Sequence, residues 1–123
     1  MKIVRCKHCG NIALMLKDSG VDMICCGEVM QELNPLLKDG ALEKHVPVYL
    51  INDNIVHVEV GSVIHPMEEK HYIQWIIVET NLNTHIKHLT YNDEPKADFA
   101  LVNGEEVGSV YEYCNLHGFW KSE

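Results

Sequence analysis

Apolar and polar residues alternate with a period of two over much of the chain, the pattern of strands with one buried face. Within residues 55–60, Val56, Val58 and Val60 share one face, and His57 and Glu59 the other. Residues 46–51, 72–79, 85–91, 97–102 and 107–113 read as further strands, and 118–121 as a short last one. The 72–79 run is more continuously apolar, as a central strand covered on both faces would be. Turn chemistry separates these segments at Asn52-Asp53-Asn54, Asn92-Asp93-Glu94-Pro95 and Asn103-Gly104. Nearer the start, 12–17 and 21–24 flank Asp18-Ser19-Gly20 and read as a strand, a turn and a returning strand. No stretch carries a helical stripe with caps. The fold class is therefore mainly β, with six or seven short antiparallel strands forming a sandwich in the later part of the chain.

Length allows one ordinary domain, or one domain and a very small module, in 123 residues. The unperiodic stretch 34–40, with Pro35, Gly40 and charge, marks a boundary, giving a module over residues 1–36 and a larger domain over 37–123. A module of about 35 residues cannot hold a core unaided and needs a staple such as a metal. Net charge is −8, which argues against a nucleic-acid partner and against docking to an anionic membrane. No apolar run approaches the roughly 18–20 residues that span a bilayer. Residues 1–10, MKIVRCKHCG, have no apolar leader segment, so the expected compartment is the cytoplasm.

That compartment changes the meaning of five cysteines, because it keeps thiols reduced and favours metal or redox chemistry over disulfides. Cys6-x-x-Cys9 and the adjacent pair Cys25-Cys26 offer four thiolates, a tetrahedral set for zinc or iron. Spacing alone does not choose between those metals. Gly10 and Gly27 follow the two pairs, where a metal knuckle turns tightly beneath the sulfur. Neighbouring side chains in an extended strand point oppositely, so Cys25 and Cys26 need a local distortion to face one ion.

A second set of chemistry-bearing residues lies later in the chain. His45 stands in Glu43-Lys44-His45-Val46-Pro47, and His65 and His71 bracket a polar loop between strands. Cys114 and His117 sit three apart where a strand ends. The order is not that of a zincin, because His-Glu-x-x-His is absent. Four histidines at strand ends, joined by a Cys-x-x-His, point to a metal site. His8, His57, His85 and His88 lack such context and read as surface residues. Tyr72, Trp75, Tyr111, Tyr113 and Trp120 read as core or rim.

Taken together, these motifs resemble a known family. The Cys6/Cys9/Cys25/Cys26 pattern resembles desulforedoxin. The segments around His45, from His65-Pro66-Met67 to His71, and from Tyr113-Cys114 to Gly118, resemble the signatures of superoxide reductase. In that order they resemble the desulfoferrodoxin family in its two-iron form. The resemblance implies a rubredoxin-like iron held by Cys6, Cys9, Cys25 and Cys26. It also implies an immunoglobulin-like sandwich with a catalytic iron, whose equatorial ligands are His45, His65, His71 and His117 and whose axial thiolate is Cys114. The implied reaction reduces superoxide to hydrogen peroxide, with an external donor such as rubredoxin, in a homodimer. Lys44 then carries a positive charge suited to attracting superoxide, and Glu43 a carboxylate suited to displacing product from the ferric centre. The contrasting possibility is a two-iron electron carrier without catalysis, which needs neither an open ligand position nor the Glu43-Lys44 pair.

Overall fold

The computed structural model describes residues 1–38 and 44–122, so Glu43 lies outside the described residues. The chain divides into two compact units, Met1–Asn34 and Pro35–Glu123. Pro35 and Leu36 thus fall with the second unit rather than the first. Leu36 is held there by a parallel bridge to Trp120, its N–H donating to the Phe119 carbonyl at 2.9 Å. Among the described residues no helix is long and apolar enough to cross a membrane.

The first unit is built on β1 (Lys2–Arg5), which lies between β2 (Ile12–Met15) and β5 (Gln31–Glu32) in an antiparallel sheet. Two very short strands, β3 (Ile24–Cys25) and β4 (Glu28–Val29), form a separate hairpin. The expected pairing of 12–17 with 21–24 does not form: β2 pairs with β1 instead, and 21–23 lie outside any strand. The reason is burial. Ile3 and Val4 in β1 are 3% and 4% exposed, whereas Val21 and Met23 remain in solvent. Among the described residues the unit's buried cluster is Val4, Cys6 and Met30, with Ala13, Met15 and Cys25 against it, and Ile3 is buried as well. So small a core leaves the unit in need of another tie.

The second unit is an antiparallel sandwich. One sheet orders β10 (Lys96–Ala100), β7 (Ile55–Val60) and β6 (Pro47–Asn52). The other orders β12 (Gly118–Lys121), β11 (Val107–Cys114), β8 (Ile73–Thr80) and β9 (Thr84–His88). Val56, Val58 and Val60 from β7, with Ala97 and Phe99 from β10, meet Ile73, Ile76 and Val78 from β8 and Val110 from β11. Cys114 belongs to the same cluster and is fully buried. As the apolar run indicates, β8 is covered on both faces: Trp75 stacks on Tyr113 at 5.3 Å between ring centroids. The strand ends shift by one to three residues from the pattern-based limits, the largest shift being β9, which ends at His88 rather than at residue 91.

At one end of the sandwich a buried carboxylate ties two loops. Glu105 accepts hydrogen bonds from the Thr80 hydroxyl at 2.5 Å, His85 Nε2 at 2.6 Å and Asn83 Nδ2 at 3.1 Å. Its other oxygen accepts from the Val102 N–H at 3.0 Å. These donors, Thr80 first, hold its pKa down at about 2 despite burial. His85 is therefore part of a buried network and not the plain surface residue its sequence context indicated.

Candidate metal centres

The first donor set is a pair of turns. The 6–11 turn closes with Gly10 N–H donating to the Cys6 carbonyl and Cys6 N–H to the Asn11 carbonyl, both at 2.9 Å. Within it the Cys9 N–H points at Cys6 Sγ, 3.5 Å away, and the Asn11 N–H at Cys9 Sγ, also 3.5 Å. The second turn is the two-residue β3–β4 hairpin. Its central residues Cys26 and Gly27 both have positive φ, 54° and 76°, as a type I′ turn requires. This left-handed step is the distortion that lets Cys25 and Cys26, adjacent in sequence, face one point. Cys9 Sγ lies 3.6 Å from Cys25 Sγ, which lies 3.9 Å from Cys26 Sγ. All four sulfurs fall within 4.8 Å of one another.

Hydrogen bonding from the Cys9 backbone holds Cys6 down at about 6, while the Cys6, Cys9 and Cys25 thiols push Cys26 up to about 12. Four thiolates can coexist here only with a cation among them, and binding a metal would release the protons. Cys6 is buried, whereas Cys9 and Cys26 reach solvent. Lys7 and His8 both pair with Glu28, at 2.9 and 3.0 Å.

The second set is assembled from strand ends. His45 stands two residues before β6, His65 and His71 lie in the β7–β8 connection, Cys114 ends β11, and His117 occupies the β11–β12 turn. One donor atom from each of the five lies within 4.8 Å of every other. His45 Nε2 and His117 Nδ1 are 3.1 Å apart, and His117 Nδ1 is 3.8 Å from Cys114 Sγ. His65 Nδ1 lies 2.7 Å from the Pro66 carbonyl. A carbonyl only accepts, so Nδ1 carries the proton and Nε2 is left as the donor toward a metal. A register shift between Tyr113 and Cys114 re-aims the thiol at the end of its strand. His45, His65 and Cys114 are buried, His71 is half-buried and His117 is exposed, so the set opens to solvent at His117.

Comparison with known proteins decides the family. The desulfoferrodoxin family model matches residues 37–123. A desulfoferrodoxin from Syntrophotalea carbinolica is 48% identical over 124 aligned residues, covering 100% of this chain and 96% of that protein. The chain belongs to the desulfoferrodoxin family. A desulfoferrodoxin from Nitratidesulfovibrio vulgaris is 47% identical, covering 99% of this chain and 95% of the relative. Among solved structures, the superoxide reductase from Treponema pallidum superposes with a TM-score of 0.85 at 32% identity. It covers 99% of this chain and 97% of its own. The Giardia intestinalis superoxide reductase, described as a one-iron form, gives 0.57 at 33% identity over 64% of this chain and 94% of its own.

As in this family, both donor sets suit iron. Four sulfurs make the tetrahedral site typical of zinc or iron, and four imidazole nitrogens with one thiolate suit a redox-active transition metal. Metal–ligand bonds of about 2.0–2.3 Å keep any two donors within roughly 4.6 Å of each other, and in both sets the donor atoms all lie within 4.8 Å of one another.

The structure brings together all nine residues that the motifs single out as ligands, in two groups of four and five. Lys44 is half-buried beside His45. Two contributors were missed. Trp120, read only as core or rim, stacks on His45 with ring centroids 4.8 Å apart and 16° between planes. Its Nε1–H donates to the His117 carbonyl at 3.1 Å, so one indole braces two ligand-bearing segments. Gly61 is the other. A Cβ there would lie 2.9 Å from the carbonyl oxygens of both Lys44 and Val46, the residues on either side of His45. Nothing in the one-dimensional pattern marks either role, because each depends on approach through space.

Proposed function

We propose that this chain is a superoxide reductase, which reduces superoxide by one electron, with two protons, to hydrogen peroxide. The observation that carries the reading is the convergence of donor atoms from His45, His65, His71, His117 and Cys114 within 4.8 Å of one another, with His117 exposed. Likeness to solved superoxide reductases supports it. Iron held by these five donors would supply the single electron and could take a small anion beside them.

The chain's residues shape that chemistry. Cys114 contributes an anionic sulfur whose electron density favours electron release to the substrate, as a thiolate does in oxygen-activating haem proteins. The buried imidazoles of His45 and His65 carry no charge as ligands, so the thiolate is the one anionic donor. With a net charge of −8 the chain as a whole repels superoxide. Attraction must therefore be local, within a Debye length of about 8 Å, and Lys44 beside His45 supplies it. Glu43 would supply a carboxylate able to compete with product for the metal. Cys6, Cys9, Cys25 and Cys26 would hold a second iron, which would supply a one-electron store for a rubredoxin-like donor. The family resemblance further supports a cytoplasmic homodimer.

Pre-reduced, iron-loaded protein mixed with superoxide generated by pulse radiolysis tests the reading. One peroxide formed per superoxide consumed, with no oxygen released, is the expected result. Equal amounts of peroxide and oxygen indicate dismutation, and no peroxide indicates an electron carrier. Either result overturns the proposal.

A further inference from the structure

The motif around Cys114 contains a residue that the ligand set leaves unused. Asn115 lies between Cys114 and His117, and its side chain reaches across to the segment that carries His71. Asn115 Oδ1 accepts from the Tyr72 N–H at 2.9 Å, and its Nδ2 donates to the Lys70 carbonyl, also at 2.9 Å. Its own N–H donates to the Tyr72 carbonyl at 3.2 Å. The residue between the two gripped positions is His71. We propose that Asn115 is a positioning residue for the four-histidine, one-cysteine centre, clamping the backbone on both sides of His71 to the turn that carries Cys114 and His117.

The chemistry of the side chain explains why it is an asparagine. The clamp needs one acceptor and one donor side by side at short reach. A carboxamide has both, a carboxylate has no donor, and glutamine is one methylene longer. On its other side, the His71 segment closes on itself, through paired backbone hydrogen bonds of 2.9 and 3.0 Å with Glu68. The 68–71 turn thus moves as a unit, and Asn115 fixes where that unit sits. Partners behind metal ligands of this kind typically change metal affinity by roughly 10–100-fold when removed.

The molecule carries its own control. Asn81 makes the same three bonds to another segment: its Nδ2 to the Gly104 carbonyl at 3.1 Å, its Oδ1 from the Glu106 N–H at 2.7 Å, and its N–H to the Glu106 carbonyl at 3.1 Å. None of those residues belongs to either donor set. Asn81→Ala therefore removes the same bonds without touching a ligand-bearing segment.

The inference rests on the proposed function, and the test separates the two. Full-length iron-loaded wild type, Asn115→Ala, Asn115→Asp and Asn81→Ala are challenged with a strong chelator. Iron release is followed in the thiolate-to-iron absorption of the second centre, with the four-cysteine absorption as internal reference and urea midpoints recorded in parallel. Asn115→Ala should release second-centre iron roughly 10–100-fold faster and shift its absorption. Asn115→Asp, which keeps the Tyr72 bond and loses the Lys70 bond, should fall between it and wild type. Asn81→Ala should release at the wild-type rate, even where its urea midpoint falls as far as that of Asn115→Ala. Equal acceleration in Asn115→Ala and Asn81→Ala, or release at the wild-type rate from either Asn115 variant, overturns the positioning role. Should Asn115→Ala not fold, the Asp variant alone decides. Wild type that takes up no iron at the second set overturns the proposed function and this inference with it.

Discussion

A single methyl group at Gly61 should disturb the second centre without touching any of its donors. The added Cβ would stand 2.9 Å from two carbonyl oxygens, whereas ordinary contact begins near 3.4 Å. Each carbonyl must then recede by about 0.5 Å, or the β7 end must yield by as much. The carbonyls belong to Lys44 and Val46, so His45 between them travels with the displacement. A functional constellation tolerates about 0.5 Å before it loses its geometry, and the whole of that tolerance is used by one substitution. Overpacking of this kind costs about 1–3 kcal/mol. For a domain of this size that lowers the melting temperature by roughly 4–8 °C per kcal/mol. If misplacement by about 1 Å costs on the order of 100-fold in rate, half that distance predicts about a ten-fold slower reaction with superoxide.

Three measurements on Gly61→Ala check this: the melting temperature, the second-centre absorption, and the bimolecular rate by pulse radiolysis. Gly108→Ala is the matched control, since its Cβ meets only the Glu79 carbonyl oxygen at 3.3 Å. The control should lose some stability and keep its spectrum and rate. A Gly61→Ala protein with unaltered absorption and rate would show that the 44–46 segment relaxes freely, and that close packing against Gly61 does not hold His45.

Other expectations bear on separate parts of the molecule. Cys114→Ser should abolish superoxide reduction and the thiolate-to-iron absorption of the second centre, while the four-cysteine spectrum persists; retained activity would remove Cys114 from the thiolate role. Lys44→Ala should slow the encounter with superoxide by roughly ten-fold, the low end of steering effects, and the wild-type rate should fall with added salt; equal rates in the two proteins would refute steering. Glu105 has a folded pKa of about 2, below its ordinary 4.5, so the folded state binds fewer protons across that interval. Its stabilisation is therefore complete above about pH 5 and drains away as pH falls toward 2. Wild type should exceed Glu105→Gln in urea midpoint at pH 6, and the gap should close on acidification; a pH-independent gap would contradict the linkage.

The second unit is legible in the sequence because its strands bury one face. The alternation at Val56, Val58 and Val60 and the turn at Asn52-Asp53-Asn54 each specify structure locally, and β7 and β12 fall where the pattern puts them. The first unit is less legible for the opposite reason. It buries so few apolar side chains that alternation has little to report, and the partner of β2 is chosen by β1 and the cysteine turns rather than by the adjacent apolar segment 21–24. The donors were readable because Cys and His are chemically conspicuous. Trp120, Gly61 and Asn115 were not, since each acts through a stacking distance, a missing Cβ or a bond to someone else's backbone.

The same contrast separates the two centres physically. Cys6 and Cys9 share one turn and Cys25 and Cys26 another, so the first set needs only two short loops brought together. In a unit with so small a core, a metal at these sulfurs stabilises the fold directly, because binding free energy there is folding free energy. The second set draws donors from His45 to His117, on one strand end and on the segments that join strands of both sheets, so it is complete only once the sheets have packed. Its metal is held by the sandwich more than the sandwich is held by its metal. Removing metal should therefore unfold the first unit and leave the second folded. Circular dichroism and amide exchange on chelator-treated protein would show protection lost over Met1–Asn34 and kept in β7, β8 and β11. Protection lost equally in both units would mean that the second centre, too, is a structural staple.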